Sequence, residues 1–148
     1  MYLFSPDISH RDFDHNDDVG RIGELLTSYY LEIYKVSCEA VRRQGCDLWC
    51  ETRELGMLKC EVKSSTKVQH NKSSDKTRYN FFTSPYQKER SDFHAFVALD
   101  LGLVLFYPSC ELPTGRTKNI GPSKFTEPNI KASLDYTFKV LEDIKKAA

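Results

Sequence analysis

The sequence of 148 residues has no excess of charge of either sign and no long hydrophobic run. Lysine and arginine together number 21, as do aspartate and glutamate, so the formal net charge is zero. No apolar stretch approaches the roughly 20 residues that a membrane-spanning helix needs. The beginning, MYLFSPDISHRDFDHNDD, places a short apolar start before acidic residues, the reverse of the order in a signal peptide. We therefore expect no membrane insertion and no secretion, and predict a cytoplasmic protein.

Several motifs of catalysis and metal binding are also missing. The sequence has no glycine-rich phosphate loop, no Ser/His/Asp nucleophile set and no haem motif. Its five cysteines are an odd number, and free cysteines in a reducing compartment pack as small buried hydrophobes. A zinc site at Cys46, Cys50 and Cys60 is the alternative. On a strand, however, the first two would lie about 13 Å apart, whereas zinc needs each sulfur within about 2.3 Å. We favour core thiols.

Length and composition fit one globular domain. Hydrophobic residues make up 40% and charged residues 28% of the chain, which is the balance of an ordinary domain of this size. No internal repeat and no linker-like segment divides it. We predict a single domain over residues 1–148, in which residues 1–18 form a loosely ordered acidic arm.

The zero net charge hides a segregation along the chain. Residues 1–24 carry six acidic and two basic side chains, whereas residues 63–90 carry seven basic and two acidic ones. Such a basic segment can form a local positive surface for a polyanion without a high overall isoelectric point. A solvated basic loop is the other interpretation. The charge pattern therefore favours nucleic acid as a partner but does not establish it.

Hydrophobic periodicity predicts two helices and about six short strands. Apolar residues at helical spacing predict a first helix, capped by Asp17 or Asp18 and ending near Val36, and a terminal helix over 130–144. Alternating residues predict strands over 36–43, 46–51, 57–63, 78–83, 93–99 and 103–107. The last two are apolar enough to be central. Turns are expected at Gln44–Gly45, at Gly56 and at 100–102. We expect a mobile loop over 64–77 and an irregular, proline-rich connection over 108–128. The result is an α/β or α+β domain.

Three charged side chains on two of these strands could carry chemistry. In a strand, residues i and i+2 share a face, about 6.6–7 Å apart, so Glu61 and Lys63 point together. If the Gly56 turn closes a hairpin, Asp47 lies across from Glu61 on that face. Two carboxylates can hold a hard divalent ion such as Mg²⁺, which polarises a phosphate and lowers the pKa of a bound water. A lysine there can orient the water and stabilise developing negative charge.

Glu-x-Lys alone is not informative, since this composition yields roughly two acid-x-Lys matches by chance. The second match, Asp143 and Lys145, falls on the terminal helix. The information lies in the arrangement, which places Asp47 on one strand, a short turn, and then Glu61 and Lys63 at the end of the next. A salt-bridged pair on an exposed sheet face is the alternative for the last two residues.

The segments GRIGE, GCDLW and LKCEVKSS resemble the PD-(D/E)XK nuclease superfamily over roughly residues 20–110. Within it the chain looks most like the small group I intron homing endonucleases of cyanobacteria, and it is also similar to Holliday-junction resolvases. The later segments RYNFF, SPYQKER and SDFHAFVAL add to this likeness. Cys46 stands where the proline of the family name would be. The resemblance implies a restriction-endonuclease-like core with a mixed central sheet flanked by helices, working in a bacterial or phage-infected cell.

The resemblance also implies roles for individual residues. Asp47 and Glu61 would be metal ligands, the Val62 carbonyl a backbone ligand, Lys63 the catalytic lysine, and Glu24 a helix-borne acid that completes the site. The metal would be Mg²⁺, with Mn²⁺ as a possible substitute.

The expected activity is metal-dependent hydrolysis of DNA phosphodiester bonds. Phosphate contacts are expected from the basic side chains Lys67, Lys72, Lys76, Arg78, Lys88 and Arg90. Because a small subunit covers little DNA and two strands need two sites, we predict a homodimer or a higher homo-oligomer. A branched-DNA or Holliday-junction resolvase is one alternative. A nucleic-acid-binding module that has kept the fold without cleavage is the other.

Overall fold

The computed structural model describes residues 16–43, 46–71 and 76–148. This part of the chain contains three α-helices, eight strands and two short 3-10 helices. The helices are α1 (Asn16–Ile33), α2 (Pro85–Arg90) and α3 (Glu127–Ala147). The strands are β1 (Ser37–Arg43), β2 (Cys46–Thr52), β3 (Gly56–Ser65), β4 (Gln69–Asn71), β5 (Lys76–Phe82), β6 (Phe93–Ala98), β7 (Leu103–Pro108) and β8 (Thr117–Ile120).

Five strands form a mixed central sheet in the order β1-β2-β3-β6-β7. All neighbours are antiparallel except β3 and β6, which run parallel and are joined by the crossover that contains β4, β5 and α2. Positive φ angles at Gly56 and Gly102 turn the β2–β3 and β6–β7 hairpins where turns were predicted. The mixed central sheet flanked by helices is thus confirmed.

The prediction that both β6 and β7 are central is wrong for β7, which is the edge strand. Its sequence is as apolar as that of an inner strand because both of its faces are covered. Phe106 packs towards the helices, and Leu105 packs towards the second sheet. On the edge without a neighbouring strand, the Phe106 N–H donates to Ser133 Oγ of α3 at 3.0 Å. A side chain of α3 thus supplies the acceptor that a further strand would otherwise provide.

One face of the central sheet carries α1 and α3. The residues that the alternation directs to this face, such as Leu48, Cys60 and Val62, pack against Leu26 of α1 and Leu134 of α3. Burial raises the pKa of the Cys60 thiol well above its ordinary value. The interpretation of these cysteines as core thiols is consistent with this packing, since free thiols in this position behave as apolar side chains.

The other face supports a smaller antiparallel sheet in the order β4-β5-β8. A second aromatic cluster fills the space between the sheets, and Phe96 of β6 lies 4.9 Å from Phe81 of β5 between ring centroids. This layer corrects two predictions. The expected mobile loop over 64–77 contains the end of β3, β4 and the start of β5, and the irregular 108–128 connection contains β8. β4 and β8 are short polar strands that are ordered by pairing with β5. Hydrophobic periodicity in the sequence cannot predict such strands.

Some predictions fall outside the described residues. The Gln44–Gly45 turn is among them, as is nearly all of the acidic arm. The arm was expected to reach residue 18, but α1 begins at Asn16, so its last three residues are helical. In the described part of the chain, no helix combines the length and apolar character needed to cross a membrane.

Gly56 is the clearest case in which the backbone alone requires glycine. Its φ is +72°, in the left-handed region, and a Cβ built there meets nothing within 4 Å. Gly115 also has nothing within 4 Å of a built Cβ, but no left-handed φ. We therefore expect Gly56→Ala to lower the free energy of unfolding by about 1–2 kcal/mol, and Gly115→Ala to leave it unchanged or slightly raised. Urea unfolding of the two variants makes the comparison, and equal losses would contradict the turn geometry.

Candidate active site

The β2–β3 hairpin brings Asp47 and Glu61 together. The paired register ends at Leu48 opposite Cys60, and continuing it by one residue places Asp47 opposite Glu61. At this point a side-chain hydrogen bond replaces the backbone hydrogen bonds between the strands: the Val62 N–H donates to Asp47 Oδ2 at 2.8 Å. This bond fixes the half-buried carboxylate of Asp47 against β3. The predicted juxtaposition of the two acids is what the hairpin produces.

Glu61 is a buried acid, with 5% of its surface exposed. As predicted, it points away from the helix-covered face and shares its own face with Lys63. One oxygen, Oε1, receives both Lys63 Nζ at 3.1 Å and the side-chain amide of Gln87 at 2.7 Å. The alternative of a salt-bridged pair on an exposed sheet face does not fit this burial. Glu61 is covered by the crossover layer, which consists of β4, β5 and α2.

The electrostatics of the pair are those of a site that is short of positive charge. Burial and, to a smaller extent, the charge of Asp47 raise the pKa of Glu61, Lys63 opposes the rise, and the resulting pKa is about 7. Since the ordinary value is 4.5, the ionised carboxylate destabilises the fold above about pH 7, and this cost is relieved as the pH falls towards 4.5. Two carboxylates facing one ammonium suit an added hard cation, which prefers such oxygen ligands. The side chains therefore fit a divalent metal.

Gln87 is a site residue that the sequence interpretation missed. It lies on α2, where Ser84 caps the helix by accepting the Gln87 N–H at 3.1 Å and Pro85 occupies the first turn. The Ser-x-x-Gln spacing is a capping-box signal and could have revealed the helix. It could not have revealed the partner, because the Gln87 side chain reaches Glu61, 26 residues away, and not its own helix end.

Lys88 anchors α2 to the segment that leads into β8. Its ammonium donates to the carbonyl of Pro113 and, at 2.8 Å, to that of Gly115. This lysine was predicted to contact DNA phosphates. In the structure its ammonium is engaged with these two carbonyls, which ties α2, and with it Gln87, to the 113–115 segment.

His94 is the neighbour of Glu61 on β6 and is fully buried. Burial lowers the pKa of His94 to about 3, with smaller contributions from the charges of Lys63 and Lys88. Its Nδ1 lies 2.8 Å from Ser109 Oγ. The lowered pKa favours a neutral imidazole at physiological pH, and the ring is packed in the interior beside Glu61.

The GRIGE segment of α1 sets how closely that helix approaches the site strand. A Cβ on Gly23 would clash with Ser64 Oγ and lie 3.2 Å from Ser64 Cβ, so a larger residue here would force the Ser64 side chain to move. The next residue, Glu24, lies 3.8 Å from the Arg21 guanidinium. No three His, Cys, Asp or Glu side chains gather as a metal-binding group in the described residues. The structure thus unites two of the three predicted acids, and a ligand role for Glu24 stays a prediction.

The predicted phosphate contacts are dispersed over the crossover layer. Lys67 and Lys76 are exposed, Arg78 is partly exposed, and Lys72 lies outside the described residues. Arg90 is exposed and stacks its guanidinium over the Tyr86 ring at 4.1 Å from the centroid. On β2, Trp49 shares the strand face of Asp47 and is exposed.

Comparison with known proteins identifies the architecture. No protein-family model and no curated protein sequence matches the chain. Among solved structures, the bacterial homing endonuclease I-Ssp6803I is similar, with a TM-score of 0.66 at 15% sequence identity, over 90% of this chain and 99% of that one. The chain has a homing-endonuclease-like fold. At this identity the likeness concerns the fold, and the chemistry must be argued from the site residues.

The coupling between the two acids gives a direct test of the site. We expect Asp47→Asn to lower the pKa of Glu61 from its value of about 7, because the amide keeps the bond from Val62 N–H but removes a negative charge that raises this pKa. A carboxyl-carbon NMR titration without metal measures it. Asp92→Asn is the matched control, since Asp92 also accepts a β3 amide, that of Lys59. An unchanged Glu61 pKa in Asp47→Asn would contradict the described geometry.

Proposed function

We propose that this protein is a metal-dependent DNA endonuclease of the PD-(D/E)XK type, with homing- or restriction-like activity. The observation that carries the proposal is the set of Asp47, Glu61 and Lys63 on one hairpin of a homing-endonuclease-like fold. Fold likeness alone does not imply an activity. The site adds the residue types that phosphodiester hydrolysis requires, held together by the structure in a partly buried position.

Asp47 and Glu61, with the Val62 carbonyl, would hold Mg²⁺, or Mn²⁺ as a substitute. The excess of carboxylate over ammonium charge at this point supports such a role. When bound, the metal would supply polarisation of the scissile phosphate and a lowered pKa for the attacking water. Glu24 remains a candidate for a further ligand of this metal.

The protein's own residues would then divide the remaining work. Lys63, whose ammonium is 3.1 Å from Glu61, would orient the attacking water and stabilise the negative charge that develops on the phosphate. Gln87 would hold the Glu61 carboxylate in one orientation, because a short capped helix fixes its amide. His94 would stay neutral and exclude water from behind the site.

Substrate binding would come from the basic side chains of the crossover layer. Lys67, Lys76, Arg78 and Arg90 are accessible to phosphates in the structure, and Lys72 is proposed from the sequence alone. Each phosphate neutralised releases counterions, so binding should weaken steeply with salt. Lys88 would contribute chiefly by holding α2 in place.

The central test is Mg²⁺-dependent cleavage of plasmid, linear duplex and four-way-junction DNA. We expect Lys63→Met to reduce the rate about 10²–10³-fold, as is typical for loss of one transition-state-stabilising group, while DNA binding is retained. Asp47→Asn should also abolish cleavage, by weakening metal binding. Lys139→Met is the matched control, since Lys139 lies on α3 in an exposed pair with Asp143.

The outcomes separate the rival functions. Preference for the four-way junction would indicate a resolvase. Cleavage that is unaffected by Lys63→Met would contradict the proposed site. DNA binding without cleavage, combined with calorimetry that shows no Asp47-dependent binding of Mg²⁺ or Mn²⁺, would leave a non-catalytic DNA-binding module.

A second prediction concerns assembly. Because double-strand cleavage needs two sites, we expect a homodimer or a higher oligomer. Light scattering should give at least twice the chain mass of 17.1 kDa. A monomer both alone and with DNA would contradict this prediction.

A further inference from the structure

The three-stranded sheet β4-β5-β8 differs in charge from the rest of the molecule. None of its residues is aspartate or glutamate, although the chain contains 21 of them. Lys76 and Arg78 of β5 lie on the same strand face as Asn80, whereas Lys118 of β8 pairs with the buried Phe81 and lies over the Tyr107 ring. A sheet that lacks negative charge in a neutral protein has a local surface complementary to a polyanion.

The outward face of this sheet carries a row of amide side chains. The inward face is apolar, since Tyr79 and Phe81 of β5 are buried against the central sheet. On the outward face, Asn80 of β5 stands opposite Asn119 of β8. The Asn80 amide also donates to Gln69 Oε1 of β4 at 2.7 Å. Gln69, Asn80 and Asn119, named here the amide row, thus cross all three strands on one accessible face.

From these observations we propose that the amide row reads base edges in the major groove of duplex DNA. Asparagine and glutamine side chains pair bidentately with adenine, and a small β-ribbon fits the major groove. Three strands at about 4.8 Å spacing make the row about 10 Å wide, which matches the rise of about three base pairs. The proposal rests on the proposed function and names residues that give that function its sequence specificity.

Phe82 extends the same face beyond the amide row. It lies two residues from Asn80 on β5, opposite Thr117 in the register, and is 59% exposed. A large apolar ring on a basic, acid-free surface matches the thymine methyl group, the apolar feature of the major groove. The amide row and Phe82 together are suited to recognising A·T base pairs, in addition to any contact with the DNA backbone.

The amide row is also mechanically tied to the cleavage site. The Thr83 N–H, just after β5, donates to the Arg116 carbonyl at 2.7 Å, and Ser84 then caps α2, which carries Gln87. Gln87 contacts Glu61 directly. The face that would contact bases is therefore joined to the catalytic carboxylate through the short chain segment between β5 and α2 and the Gln87–Glu61 hydrogen bond. This would fix the distance between the base pairs read and the bond cut.

The test is selection of bound sequences from a randomised duplex library, with the full-length protein. We expect the double variant Asn80→Ala/Asn119→Ala to lose preference at about two adjacent positions, one for each amide removed, with discrimination reduced about 5- to 100-fold at each. Binding to non-specific duplex and its salt dependence should not change, because amides carry no charge. Asn129→Ala is the matched control, an exposed asparagine on α3.

The possible outcomes distinguish this inference from the proposed function. An unchanged motif in the double variant, with the parent selective, would overturn the base-reading role and leave the nuclease intact. A parent that cleaves duplex with no sequence preference would do the same. A parent that neither binds nor cleaves DNA would overturn both. Should the double variant unfold, the single change Asn119→Ser at an exposed position carries the same test.

Discussion

The burial of the Glu61 carboxylate beside Asp47 is the interaction on which the rest of this structure depends. A buried carboxylate is costly unless it is paired and hydrogen-bonded. Two contacts offset this cost: an ion pair with Lys63 of the same strand and a hydrogen bond from the Gln87 amide of α2. Even so, burial and the neighbouring charge of Asp47 raise the pKa of Glu61 to about 7, and two acidic groups face one ammonium. The imbalance is unfavourable for stability and suited to holding a cation.

That requirement explains the layer built over the site. Gln87 can reach Glu61 only if α2 sits at a defined height above the central sheet. Ser84 begins the helix, Lys88 ties it to the carbonyls of the 113–115 segment, and the aromatic cluster beneath β5 sets the spacing between the sheets. The small sheet is thus both the support of the site and the surface that we assign to DNA. In the proposed function, DNA recognition and chemistry would therefore depend on the same small sheet and helix.

Sequence periodicity predicted the parts of the fold that bury one regular face. β2 and β3 alternate cleanly because Leu48 and Cys60 face the helices while their neighbours do not, and the hairpin register followed from the Gly56 turn. The prediction failed where burial does not follow a period. β7 is apolar on both faces although it is an edge strand, and β4 and β8 are short polar strands ordered by their partner β5.

The sequence by itself determined which side chains could form the site, because the two-residue period of a strand places Glu61 and Lys63 on one face whatever surrounds them. The turn at Gly56 was enough to bring Asp47 opposite. Only the tertiary structure decided that Glu61 is buried, that Gln87 contacts it, and that Lys88 serves the fold. Those facts depend on contacts between residues distant in the chain. The local sequence pattern does not encode such contacts, because the same periodicity is compatible with a structure in which Glu61 and Lys63 are exposed.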